Sequence, residues 1–150
     1  MGKAVTVNYG HRVYSIETKC KVSSHYQSEK FGGKDHPDFH IFNAIWDTGA
    51  IMTVVSSNVV KKLGLIPRGK RLMTHANGQS FVNTYYVNIL LPNNMEVQVL
   101  QVMDGYLQDT DILLGMDIIG LGDFALSAPD GNTVFSFQIP SEFLIDFIKI

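Results

Sequence analysis

In this chain of 150 residues, one acid stands where its type and surroundings could do chemistry. Asp47 closes the apolar run Ala44-Ile45-Trp46 and is followed by Thr48, Gly49 and Ala50. A carboxylate at the end of a strand that reads as buried loses hydration, so its presence there points to a site that uses it. The plain alternative is an ordinary turn built on Asp47 and Gly49, and three residues alone do not separate the two. The histidines raise the question of a metal. His25, His36 and His40 flank a polar loop with Asp35 and Asp38 nearby, yet their spacings match no zinc pattern, and solvated loop histidines are the expectation. No metal site is therefore expected. Asp117 reads as an acid favoured by the dipole at the start of a short helix, and Asp123, after Leu121-Gly122, reads similarly. Cys20 is the single cysteine, which allows no internal disulfide and no cysteine zinc site.

The elements that would position Asp47 are short strands separated by turns. Ala4–Tyr9 and Arg12–Val22 alternate in polarity, with Tyr9-Gly10-His11 as a hairpin turn between them. Gln27–Pro37 carries the residues of a loop, and Phe39–Trp46 is an apolar run of strand length. Ile51–Val55 resumes as a strand. A short helix follows, with a hydroxyl or amide cap among Ser56, Ser57 and Asn58, and Gly64 as its left-handed end. Arg71–Thr74 and Phe81–Leu90 flank Asn77-Gly78, a strong hairpin signal. Pro92-Asn93-Asn94 turns the chain into Glu96–Met103, and Ile112–Leu114 is a further apolar run ending at Gly115. Phe124–Ser127 and Val134–Ile139 form a closing hairpin. Ser141 caps a last apolar stretch, Phe143–Ile150, as helix or strand. The class is mostly β, with one or two short helices.

Three features in order give Asp47 its context. Apolar residues lead into Asp47-Thr48-Gly49-Ala50, Arg71–Tyr85 reads as a hairpin, and Ile112-Leu113-Leu114-Gly115 runs into Met116-Asp117-Ile118-Ile119. In that order they resemble the active-site loop, the flap and the apolar-apolar-Gly segment of aspartic peptidases. One Asp-Thr/Ser-Gly occurs, where two-lobed pepsin-like enzymes carry two on a longer chain, so the resemblance is to the single-lobe, retropepsin-like kind. Leu114-Gly115-Met116-Asp117 is similar to bacterial members. The resemblance covers roughly residues 39–139 and implies a closed barrel lobe of the acid-protease type. Residues 1–38 are then an N-terminal β extension and 140–150 a C-terminal segment of one domain spanning 1–150.

A single lobe of this kind must dimerise to bring two aspartates together. Two carboxylates about 3 Å apart cannot both ionise, so they share one proton and titrate as a pair. The resemblance implies that Asp47 and its symmetry mate activate water and polarise the peptide carbonyl. Thr48 would lock the two loops across the dimer, the Gly49 N–H would hold the carboxylate, and Ala50 would keep the cleft floor narrow. Thr74, His75, Ala76, Asn77 and Gly78 would lie in the flap beside the substrate, with Asn77-Gly78 as the bending tip. Trp46 is bulkier than the aliphatic residue expected there and is read as packed beneath the loop. Ile51 and Met52 replace polar residues found in viral relatives, which makes the cleft wall more apolar.

Composition bounds the rest. Apolar residues at 45% supply a core, and charged residues at 17% fall below the average of about 25%. That shortfall fits a surface covered by a second copy. A net charge of -2 offers no basic footprint for nucleic acid. No apolar run reaches the length of about 18 residues that spans a membrane, and Met1–Thr6 has no secretory stretch, so the protein reads as cytoplasmic. Gly2 with Thr6 fits a loose myristoylation pattern but reads as a strand start. The expected partners are a peptide or protein substrate and a second copy of the chain, with no cofactor. The rival reading keeps the fold as a non-catalytic peptide-binding or dimerisation module.

Overall fold

The computed structural model describes residues 3–26 and 36–150. Ten strands appear among them: β1 Lys3–Asn8, β2 Ile16–Ser24, β3 His40–Trp46, β4 Val54–Val55, β5 Gly69–His75, β6 Gly78–Leu91, β7 Met95–Asp104, β8 Ile112–Leu114, β9 Asp123–Ser127 and β10 Val134–Ile139. Two short helices join them, α1 Ser57–Leu63 and α2 Met116–Ile119. Helix α1 starts where the Ser56 hydroxyl accepts from the Val59 N–H, and ends where Gly64 takes φ 60°.

Seven strands form one sheet in the order β2-β3-β8-β4-β7-β6-β5. A further antiparallel pairing, Lys21↔Leu90 through Ser24↔Val87, joins β2 to β6 and closes six of them into a barrel. Its interior holds Val22, Phe42, Ala44, Val55, Val87, Ile89, Val102, Ile112 and Leu114, all almost free of solvent. Strand β8 lies between β3 and β4, parallel to the first and antiparallel to the second. A second sheet, β1-β10-β9, packs on the barrel through Trp46, whose ring centroid is 4.8 Å from Phe137 and 5.0 Å from Phe135. The Trp46 indole N–H donates to the Thr18 hydroxyl at 2.9 Å, so its polar edge is satisfied as it is buried. Cys20 is buried, and its thiol is pushed up to about 12, first by burial and then by the charge of Asp111.

Four expectations need correction. Tyr9-Gly10-His11 does turn, with Gly10 at φ 72°, but β1 and β2 do not pair. Strand β1 instead pairs with β10, from Lys3↔Ile139 to Asn8↔Val134, because the turn carries the chain from one sheet to the other. The strand expected at Ile51–Val55 is confined to Val54–Val55, since the Ala50 and Ile51 carbonyls and the Thr53 N–H bond to α2, and the chain meets β7 first at the Thr53 carbonyl, which accepts from the Met103 N–H. The hairpin corner is Ala76-Asn77, with His75↔Gly78 paired, and Gly78 takes φ 120° at the start of β6. Finally, residues 143–150 form neither helix nor strand. Ser141 caps nothing; its hydroxyl donates to the Asp123 carboxylate. The loop expected at Gln27–Pro37 lies for the most part outside the described residues.

Asp123 anchors that last segment. It accepts from the Ser141 hydroxyl, the backbone N–H groups of Glu142 and Phe143, and the Gln138 amide. These donors, Ser141 foremost, hold its carboxyl well below the usual carboxylate range. A depressed value in the folded state means the anchoring is complete above the ordinary carboxylate value and weakens as pH falls. Amide exchange of Glu142 and Phe143 should therefore lose protection progressively from about pH 4 downward, and Asp123→Asn should lack that dependence. Protection independent of acid in the unsubstituted protein would contradict the anchoring role.

Candidate active site

Asp47 follows directly on β3, and its position is set by the neighbouring strand. β3 and β8 pair from Ala44↔Ile112 to Trp46↔Leu114, and the Asp47 N–H extends the ladder by donating to the Leu114 carbonyl at 2.8 Å. The chain then reverses, with Ala50 N–H donating to the Asp47 carbonyl at 3.1 Å. Inside this turn the Gly49 N–H donates to Asp47 Oδ1 at 2.8 Å, which holds one carboxylate oxygen. A Cβ on Gly49 would stand 3.1 Å from that same oxygen, tighter than an ordinary contact. Asp47 and Ala50 are half-buried, while Thr48 and Gly49 are exposed. The carboxylate thus sits on an open face of the single chain, above a buried Trp46.

The rest of the loop is clamped by α2. Ala50 and Ile51 carbonyls accept from the Met116 and Asp117 N–H groups at 2.7 and 3.2 Å. Asp117 receives both the N–H and the hydroxyl of Thr53, each at 2.8 Å. The same Thr53 hydroxyl oxygen accepts from the Gly115 N–H at 3.2 Å. Gly115 must lack a side chain here, because a Cβ would lie 2.8 Å from the Ala50 carbonyl oxygen and from the Met52 carbonyl carbon. Asp117 is therefore more than an acid at a helix start: it closes the loop that begins at Asp47. Thr53, buried and bonded at each polar group, has no signal in the sequence that would have singled it out. Asp111 was likewise missed; it accepts from the Asn43 N–H and the Asn58 amide, tying β3 to α1.

The β5–β6 hairpin supplies the third part. Its Met73 and Val82 pack against Met52, Val54 and Met103, together with Leu107 and Leu113. The base of the hairpin therefore rests on the loop that starts at Asp47. At its far end Thr74, His75, Ala76, Asn77 and Gly78 are all exposed, with the Asn77 N–H donating to His75 Nδ1 at 3.3 Å. The structure brings Asp47, Thr48, Gly49 and Ala50 together with Gly115–Asp117, and joins the hairpin through its base. The histidines are not brought together: His25 is edge-on to Tyr86 and His36 stacks on Tyr26. Among the described residues no three His, Cys, Asp or Glu side chains converge on a metal-sized site, and no helix is long and apolar enough to cross a membrane.

A closed six-strand barrel with this loop, clamp and hairpin defines a single-lobe acid-protease fold. A model of the family described as gag-polyprotein putative aspartyl protease matches residues 38–120, more than half of the chain, and the chain belongs to that family. Its fold is similar to the crystal structure of a retropepsin-like aspartic protease from Rickettsia conorii. That likeness has a TM-score of 0.61 at 14% identity and covers 93% of this chain and 96% of that one. The solution structure of Simian Foamy Virus (mac) protease aligns at 16% identity and TM-score 0.48, over 70% of this chain and 92% of that one. EIAV protease complexed with the inhibitor HBY-793 aligns at 17% identity and TM-score 0.47, over 71% and 86% respectively. No curated protein matches the sequence at a significant level.

The clamp yields a direct test. Gly115→Ala places a methyl against the backbone of residues 50–52, and should lower stability to urea by about 1–3 kcal/mol through overpacking. Gly115 has φ −94°, ordinary for any residue, so a loss there reports the contact and not backbone strain. Unchanged stability in Gly115→Ala would remove the case for close contact at Gly115.

Proposed function

We propose that the protein is an aspartic endopeptidase that works as a homodimer, with Asp47 from each copy forming one catalytic pair. The observation that carries this reading is the half-buried Asp47 carboxylate on an open face, one oxygen held by the Gly49 N–H and its loop clamped by Gly115–Asp117. One chain supplies one such carboxylate, and the reaction needs two in different protonation states.

In the pair, the ionised carboxylate takes a proton from a water as its oxygen attacks the peptide carbonyl carbon. The protonated partner gives its proton to the carbonyl oxygen. The carboxyl that took the water proton then gives it to the amide nitrogen, the other takes a hydroxyl proton from the tetrahedral intermediate as the C–N bond breaks, and the pair is left with its single shared proton. Two carboxyls and one water balance the reaction. Thr48, exposed beside Asp47, would bond across the two-fold axis, and Ala50 would leave the floor narrow enough for an extended peptide. The β5–β6 hairpin would close over that peptide and exclude water, with Thr74–Gly78 nearest to it.

A two-fold assembly is supported by the amount of apolar surface the single chain leaves in solvent. Phe143, Leu144, Phe147, Ile148 and Ile150 of the last segment are exposed, as are Leu121 and Leu126 in the neighbouring β9 region and Ile51 beside Asp47. The exposed apolar side chains of 143–150 follow closely on one another along the chain, and apolar surface left in solvent at such a density fits an interface. An isologous contact would cover the same residues on both copies.

The test is cleavage of an unfolded protein and a peptide mixture between about pH 3 and 8, spanning carboxylate and histidine ionisation, with products read by mass spectrometry. The protein should cut and Asp47→Asn should lose at least about a hundredfold in rate, the lower end of what one acid–base group contributes. Equal cutting by both would remove Asp47 from the mechanism. Binding of peptide without cutting would favour a non-catalytic module on the same fold.

A further inference from the structure

The charges of this chain are segregated. No acidic residue occurs between Asp47 and Glu96, whereas the same stretch carries Lys61, Lys62, Arg68, Lys70 and Arg71. Three of these basic residues, Arg68, Lys70 and Arg71, lie at the base of the β5–β6 hairpin or just before it, and all three are exposed.

Strand register separates them. Residues directly opposite in an antiparallel pair project from the same face, and so do residues two apart along a strand. Arg71 is opposite Val82, and Met73 is opposite Ser80. Met73 and Val82 pack on Met52, Val54 and Met103, so this face of the hairpin covers the loop that begins at Asp47. Arg71 shares that face. Lys70, Leu72 and Phe81 project from the opposite one. Arg71 has no carboxylate partner: among the described residues the ion pair found joins Lys149 and Asp146. Asp104, on the adjoining strand, already accepts from the Asn83 N–H and the Tyr85 hydroxyl, and Asp117 is bonded to Thr53. The residues packed beneath this face of the hairpin, Met52, Val54 and Met103, are apolar. An unpaired guanidinium over an apolar wall is suited to a carboxylate carried in by another molecule.

We propose that Arg71 is a specificity-determining residue that selects substrate peptides bearing Glu or Asp a few residues from the scissile bond. The proposal rests on the endopeptidase reading, in which the hairpin tip lies over the paired Asp47 residues. Arg71 precedes His75 by four positions, or about 13 Å of strand, a distance that an extended peptide spans in about four residues. With two hairpins in the dimer, the acidic residue is favoured three or four positions from the cut on either side.

The experiment compares peptides identical except for Glu, Gln or Lys at those positions. kcat/KM is measured for the unsubstituted protein, and binding for Asp47→Asn by fluorescence anisotropy. Glu should be preferred over Gln by about fivefold, as for a solvent-accessible ion pair, and the preference should shrink as salt rises. Arg71→Gln should abolish the preference and Arg71→Glu should turn it toward Lys. Lys70→Gln, on the outer face, should leave it in place. Cleavage with no preference for Glu, or a preference unmoved by Arg71→Glu, overturns the inference while the endopeptidase reading stands. Binding to Asp47→Asn that favours Glu and is reversed by Arg71→Glu supports the inference even if no peptide is cut, an outcome that would refute the endopeptidase reading instead. Neither cutting nor selective binding overturns both.

Discussion

The structure depends on the close approach of two segments that lie far apart in sequence: the loop from Asp47 to Thr53 and the turn from Leu114 to Asp117. Their contact leaves no room for a side chain at Gly115, and the backbone groups on both sides bond to each other. The Thr53–Asp117 pair adds two charge-assisted hydrogen bonds to this seam. A carboxylate loop tied on one side to β8 and on the other to α2 has few conformations left. Its orientation is therefore a property of the barrel and not of the loop alone. That rigidity is what a pair of carboxylates needs, because a shared proton requires their separation to be held within a few tenths of an ångström.

Beneath this seam, the Trp46 ring couples the barrel to the β1-β10-β9 sheet through Phe135 and Phe137. The residue just before the candidate catalytic acid is thus also the anchor between two sheets. An aliphatic side chain at that position would reach less of the second sheet, which accounts for the bulk found there. The second sheet in turn carries the last segment, fixed at its start by Asp123 and apolar beyond it. Core, carboxylate loop and the exposed apolar last segment are consecutive links in one chain of contacts.

Most of the barrel was readable from alternation and turn residues, since its strands are short and bounded by Gly, Pro and Asn. The Ser56–Gly64 helix followed from its caps. Pairing partners were harder: β1 joins β10, more than 120 residues away, and no local pattern encodes a choice of that range. The candidate site was legible as a set of segments, because Asp47-Thr48-Gly49-Ala50 and Leu114-Gly115 carry unusual residue combinations. Its clamp was not. Asp117 looked like a helix-start acid because its actual partner, Thr53, is named by tertiary contact alone. The shift of the hairpin corner from Asn77-Gly78 to Ala76-Asn77 has a similar source. Gly78 supplies the left-handed residue that the turn requires, but as the first residue of the return strand.

The proposed active site is built from two copies of Asp47. Unsubstituted and Asp47→Asn chains can be unfolded, mixed in varied proportion at constant total concentration, and refolded together before peptide cleavage is measured. If both aspartates are needed in each site, activity follows the square of the unsubstituted fraction, and an equal mixture retains about a quarter of full activity for random two-fold assembly. Activity proportional to the fraction itself, with about half retained in the equal mixture, would mean that each chain acts alone and would contradict the shared site.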